Sequence, residues 1–321
     1  MTAIPTTRPA RRRLASAAGL AILSSTACSP AWGDASPART AHRARPTMMA
    51  AVSVGGTAGI QALANPANTA RLRATGRVGL YLHEKGTEIL ASDRLGAAVA
   101  KAFAGSGPNM AELGISATRQ DAINFFTGPY QVLYRDPGFR PVTANVNGLD
   151  PTGKTGSLAQ WQDFAAVAAQ NGIVRVVPFV NNNNPAWPND FDDRFWDYTR
   201  TVARAMGGCA LDTPPGFAFE SGRTYLRNLV QVVQWCRANH LLTSIVISPH
   251  GDQSRFLSMT RRFYRYVKEH DALPNGWVVE NFDDAGKPLN PRNVIAGETA
   301  PDSTTGVALW MAENAGVAPP A

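Results

Sequence analysis

Cysteine and histidine are scarce in this 321-residue chain, with three of the first and five of the second. Three cysteines exclude a scaffold held together by many disulfides. Neither His-x-His nor His-Glu-x-x-His occurs, so the compact sequence signatures of metallohydrolases are absent. No Gly-x-Ser-x-Gly elbow occurs either, because Gly105-Ser106-Gly107 lacks its frame and Glu220-Ser221-Gly222 lacks the first glycine. That absence removes nucleophilic serine chemistry of the hydrolase-elbow type. Gly86 stands alone in Glu84-Lys85-Gly86-Thr87, so no glycine-rich phosphate turn follows the first apolar run. No cofactor is expected. After the N-terminal region, no apolar stretch is long enough to cross a bilayer.

Positive charge is also scarcer on the body than the net +7 suggests. Arg8, Arg11, Arg12, Arg13, Arg39, Arg43 and Arg45 lie in the first 46 residues, where Asp34 is the only acid. The remainder holds 24 bases against 23 acids. A nucleic-acid binder keeps a basic face on its folded domain, so no nucleic-acid partner is expected. The cluster Arg261, Arg262 and Arg265 falls on an amphipathic segment and reads as a solvated outer face.

What the N-terminus does contain is a three-part export pattern over residues 1–33. Arg11-Arg12-Arg13 is the positive start, Leu14 to Ala27 a short apolar run, and Ala31-Trp32-Gly33 a candidate cleavage site. Cys28 after Ser25-Thr26-Ala27 resembles a lipoprotein box and is the candidate lipidation site. The arginines before Leu14 also resemble a twin-arginine signal. These features predict an extracytoplasmic protein, periplasmic or secreted, with membrane attachment only through its N-terminus. Without Cys28, Cys209 and Cys236 form a pair. They either bridge in an oxidising compartment or stay as two buried thiols.

Residues 34–70, rich in Ala, Thr, Pro and Gly, read as a flexible linker, and 316–321 as a frayed end. Between them, short apolar runs alternate with longer amphipathic ones, the pattern of βα units with a parallel sheet. Eight strands are predicted at Val78–His83, Ala111–Ile115, Gln131–Tyr134, Val174–Val180, Phe217–Glu220, Ser244–Ser248, Trp277–Glu280 and Val307–Met311. Val142–Val146 is an alternative third strand. Helices are predicted at Asp93–Phe103, Thr118–Phe126, Leu158–Gln170, Asp192–Met206, Thr224–Asn239 and Arg255–His270. The fold class is α/β, a single (β/α)8 TIM barrel over residues 71–315, with a doubly wound open sheet as its rival.

Barrel enzymes carry their chemistry at the C-terminal ends of strands. That rule selects His83, Glu84, Asn181, Trp187, Glu220, His250, Glu280 and Trp310. Glu220 and Glu280 each close an apolar run. Two carboxylates at one mouth are what glycoside hydrolysis requires, one to protonate the leaving oxygen and one as nucleophile or base. Aromatic rings would stack on sugars while amide and imidazole groups bind hydroxyls. Carboxylates and histidines on one rim could equally hold a divalent ion.

In this architecture the chain resembles secreted (β/α)8 glycoside hydrolases. Members of that superfamily carry Asn-Glu after the fourth strand, Glu at the end of the seventh, and often an aromatic after the eighth. Glu280 is similar to the seventh-strand acid and Trp310 to the eighth-strand aromatic, whereas Asn181 to Asn184 contain no Glu. The resemblance implies a carbohydrate-active hydrolase with Glu280 as nucleophile or stabiliser and Glu220 as general acid. Substrate binding is expected at His83, Glu84, Asn181, Trp187, His250 and Trp310. A carbohydrate-binding or polysaccharide-assembly protein without turnover, and a divalent-metal hydrolase or isomerase, remain the alternatives.

Overall fold

The computed structural model describes residues 50–53, 63, 65–82, 109–113, 141–146, 158–171, 175–180, 193–249, 253–280 and 298–316. Eight strands fall in this set. They are β1 (Ala50–Ser53), β2 (Leu80–Leu82), β3 (Asn109–Leu113), β4 (Pro141–Val146), β5 (Arg175–Pro178), β6 (Gly208–Asp212), β7 (Leu242–Ile247) and β8 (Gly276–Val279). Seven α-helices accompany them: α1 (Pro66–Ala74), α2 (Leu158–Gln170), α3 (Asp193–Met206), α4 (Pro215–Glu220), α5 (Arg223–Ala238), α6 (Phe256–Glu269) and α7 (Thr304–Asn314).

The strands pair in parallel in the order β5-β4-β3-β2-β1-β8-β7-β6. Each strand therefore lies beside its sequence neighbours, and the last pairs with the first. β5 and β6, the ends of that order, meet through a parallel bridge between Phe179 and Ala210. There the Val180 N–H donates to the Ala210 carbonyl at 3.1 Å. A doubly wound sheet would reverse its strand order at an internal switch point, and this order does not.

The helices form where apolar residues recur at three and four positions. On α6, Phe256, Thr260, Phe263 and Val267 are buried, while Arg261, Arg262 and Arg265 are exposed as expected. On α5, Tyr225, Leu229, Val232, Val233 and Cys236 are buried. These stripes pack on strand residues Cys209, Leu211, Ile245, Ile247, Trp277 and Val279 in one large core. The alternate strand residues turn the other way. Ala210, Val246 and Val278 cluster with Val177 and Phe179 on the face opposite the helices. Such two-sided burial is why these strands read as continuous apolar runs.

Several expectations need correction. Phe217–Glu220 is not a strand but the body of α4, which starts at Pro215 with Pro214 as its cap. Proline suits the first helical position, since its ring presets φ and the missing N–H has no partner there anyway. Val307–Met311 lies inside α7, whose N-cap Ser303 accepts the Gly306 N–H at 2.9 Å. Its near-complete burial makes its pattern unperiodic, which is why a short apolar run was mistaken for a strand. Two strands were missed. β6 begins straight after the helix stop at Gly207, and β1 lies within the span read as linker. Pro66–Ala74 is likewise helical. Gly316 is not frayed: it donates to the Tyr264 hydroxyl and accepts from Trp277 Nε1. The alternative Val142–Val146 is β4. The strand proposed at Gln131–Tyr134, the helices at Asp93–Phe103 and Thr118–Phe126, and the export segment with Cys28 lie outside the described residues. Among the described residues, no helix is long and apolar enough to cross a membrane.

Gly208 opens β6 where a methyl group would overlap the Leu242 carbonyl of β7. Gly208→Ala must push these strands apart, and overpacking of this kind costs about 1–3 kcal/mol. Thermal melting should fall by roughly 5 °C for a body of this size. An unchanged melting temperature would contradict the close approach.

Candidate active site

The alternation of strand side chains decides which polar residues share a face. Ala210, Val246 and Val278 belong to the face opposite the helices. Asp212, Ser248 and Glu280 each lie two positions further toward the C-terminal end and so fall on that same face. The pairing continues far enough to hold them there. Glu280 donates its backbone N–H to the Ile247 carbonyl at 2.8 Å, and Thr213 does the same to Val246 at 2.8 Å. Glu280 is 6% exposed and Ser248 4%. The buried Tyr225 hydroxyl of α5 lies 3.2 Å from both the Asp212 carbonyl and Thr213 Oγ1, which fixes the end of β6.

Asp212 is in register with Val246, and Val246 with Val278. Glu280 is therefore two strands across and two residues along from Asp212. With strands about 4.8 Å apart and a rise of about 3.3 Å per residue, their Cα atoms lie about 12 Å apart before the side chains reach inward. Two carboxyls on one face at that spacing can flank a single bond of a substrate lying between them.

Glu220, the other expected acid, is differently placed. It ends α4 and is exposed, lining a shallow hollow with Pro215, Ser248, Pro249, Arg255 and Met259. It is at the same end of the sheet as Glu280 and shares this hollow with Ser248, but it ends a helix rather than a strand. Trp310 is also corrected. It sits on α7, where its ring meets Tyr264 of α6 edge-on at 5.8 Å and Arg261 stacks over it at 5.3 Å. Trp310 is therefore a helix residue in contact with α6, not the end of an eighth strand. Glu280 follows the eighth strand rather than the seventh, and Asn181 follows the fifth segment rather than the fourth. The position-by-position match to the hydrolase superfamily is thereby lost, although the acid itself is in a strand-end position.

His83, Glu84, Asn181, Trp187 and His250 lie outside the described residues. Among the described residues, no three His, Cys, Asp or Glu side chains gather as a metal site would require. Cys209 and Cys236 do come together, with their sulfurs 3.6 Å apart.

Asp212 was missed, although its signal was present. Gly208-Cys209-Ala210-Leu211-Asp212 is an apolar run closed by an acid, the same pattern as Trp277-Val278-Val279-Glu280. Its position directly after a helix stop, without a loop, concealed it.

No protein-family model matches the chain, and no curated protein matches it. Solved structures similar to it include a family 39 glycoside hydrolase from Bacteroides cellulosilyticus, at 9% identity and a TM-score of 0.47. That match covers 81% of this chain and 63% of the other, so the chain spans less than two thirds of that enzyme. A GH99 endo-α-mannosidase from Bacteroides thetaiotaomicron matches at 13% identity and a TM-score of 0.43, covering 79% of this chain and 77% of the other. A GH128 endo-β-1,3-glucanase from Amycolatopsis mediterranei, in complex with laminaritriose, matches at 13% and 0.44, covering 83% and 99%. The chain thus has a weak architectural resemblance to glycoside hydrolases, and no residue role is transferred from it.

Proposed function

We propose that this chain is an exported carbohydrate-active enzyme that hydrolyses a glycosidic bond at the C-terminal mouth of a closed (β/α)8 barrel. The observation that carries this reading is the shared face of Asp212 and Glu280, each at the end of an apolar strand and each two positions beyond the strand-only cluster. In this mechanism one carboxyl donates its proton to the leaving oxygen. The other, as carboxylate, either attacks the anomeric carbon or activates the water that does so. Glu280 is nearly enclosed and Asp212 half-buried. Glu280 and Asp212 are assigned as the pair that divides these two roles. His83, Asn181 and His250 follow β2, β5 and β7 closely in sequence and are assigned to hydroxyl recognition together with Glu84 and Trp187. Residues 1–33 are assigned to export, with Cys28 as the anchoring position if the protein is lipidated.

The test is to assay wild type, Glu280→Gln and Asp212→Asn on a panel of polysaccharides while measuring binding of the same sugars. Each variant should lose about 10²- to 10⁴-fold in kcat and keep binding. Wild-type turnover in either variant removes that residue from the chemistry. Sugar binding by wild type without turnover identifies a carbohydrate-binding protein instead.

Two further substitutions probe the corrected positions. Glu220→Gln and Trp310→Ala should both keep the wild-type kcat. Trp310→Ala should lose about 2 kcal/mol of stability through the α6–α7 packing, read from denaturant unfolding. Loss of kcat in Glu220→Gln with an unchanged fold would restore Glu220 as the partner of Glu280.

A further inference from the structure

Cys209 and Cys236 are both fully buried free thiols, one on β6 and the other on α5. Their sulfurs lie 3.6 Å apart, across the main interface between the sheet and its helices. A disulfide needs about 2.05 Å between sulfurs, so a closing movement of roughly 1.5 Å suffices. The 27-residue separation encloses Asp212, α4 and the first thirteen residues of α5, including the Tyr225 hydroxyl that contacts the Asp212 carbonyl.

We infer that Cys209 and Cys236 form a structural disulfide that ties β6 to α5 and closes the loop carrying the Asp212 end of the sheet. The bond would be made by exchange with an external disulfide, either a low-molecular-weight one or that of an oxidised dithiol protein. One thiolate attacks that disulfide and forms a mixed disulfide. The second thiolate then displaces the external sulfur, so the two cysteines lose two electrons and two protons while the external disulfide is reduced to two thiols. Exchange belongs to folding, before β6 docks on α5. In the folded chain neither sulfur is accessible. The Cys209 thiol is also pushed well above its ordinary range, first by its hydrogen bond to Cys236 and then by burial, which leaves little thiolate to react. This cross-link does not depend on the proposed hydrolysis, since it rests on the thiol geometry alone.

The full chain is refolded from denaturant with oxidised and reduced glutathione, and in parallel with reductant only. Thiols are then alkylated under denaturing conditions and the cross-linked peptides mapped. The oxidised sample should weigh less by two hydrogen atoms, retain only Cys28 as an alkylatable thiol, and yield a Cys209–Cys236 peptide. Closing a loop of this length should raise its melting temperature by about 10 °C over the reduced sample. Because Cys209→Ser alone places a hydroxyl in an apolar site, the double variant Cys209→Ala with Cys236→Val is the control. Its melting temperature should be the same with and without oxidant. Three alkylatable thiols after oxidative refolding, or a cross-link through Cys28, would overturn the inference.

Discussion

The strict alternation of side chains along β5 to β8 is the constraint on which the remaining structure depends. One set of positions, Cys209, Leu211, Ile245, Ile247, Trp277 and Val279, joins the helices in the main core. The other set, Val177, Phe179, Ala210, Val246 and Val278, packs strand against strand. A shift of one residue in any strand would exchange the two sets and bury the wrong side. The same alternation carries Asp212, Ser248 and Glu280 to the face away from the helices. Core packing and the position of the candidate acids are therefore one property of the sheet. A residue that stabilises the core on one face fixes where its neighbour's carboxyl lies on the other.

The parts that depend on local pattern were legible in the sequence. Leu158–Gln170 was read to the residue, and α3, α5 and α6 to within one residue at each end, because each has a buried stripe or a clear stop signal. β5, β7 and β8 were read because strands covered on both faces become apolar runs. The parts that failed share a cause. Phe217–Glu220 and Val307–Met311 are short apolar runs, and in so few residues helix and strand cannot be separated by periodicity. Pro214-Pro215 and Ser303, both helix-start signals, were the evidence that would have separated them. β1 is built from Ala50-Ala51-Val52-Ser53, where small side chains give little hydrophobic contrast with a linker.

Of the candidate acids, only some positions in the fold were legible. The strand-end position of Glu280 was legible because an acid closing an apolar strand is unusual enough to be read from one segment. The placement of Glu220 was not, for the reason just described: Phe217–Glu220 is helical, Glu220 is an exposed terminal residue, and the acid closing β6 is Asp212. Trp310 was misplaced in the same way, since its short apolar run is part of α7, which packs against α6. The ordinal shift matters as well. With β1 and β6 included, Glu280 ends the eighth strand, so a match that counted strands from the sequence was one place out. Sheet order and register, which are long-range properties, were needed to correct it.

The most direct measurement of the account is the separation of the Asp212 and Glu280 carboxyl groups in a crystal structure of the full chain. The account predicts both groups on the face shared with Val246 and Val278, within about 10 Å of each other, the range in which paired carboxyls flank one glycosidic bond. Carboxyls on opposite faces of the sheet, or one of them turned into the helix-side core, would contradict it.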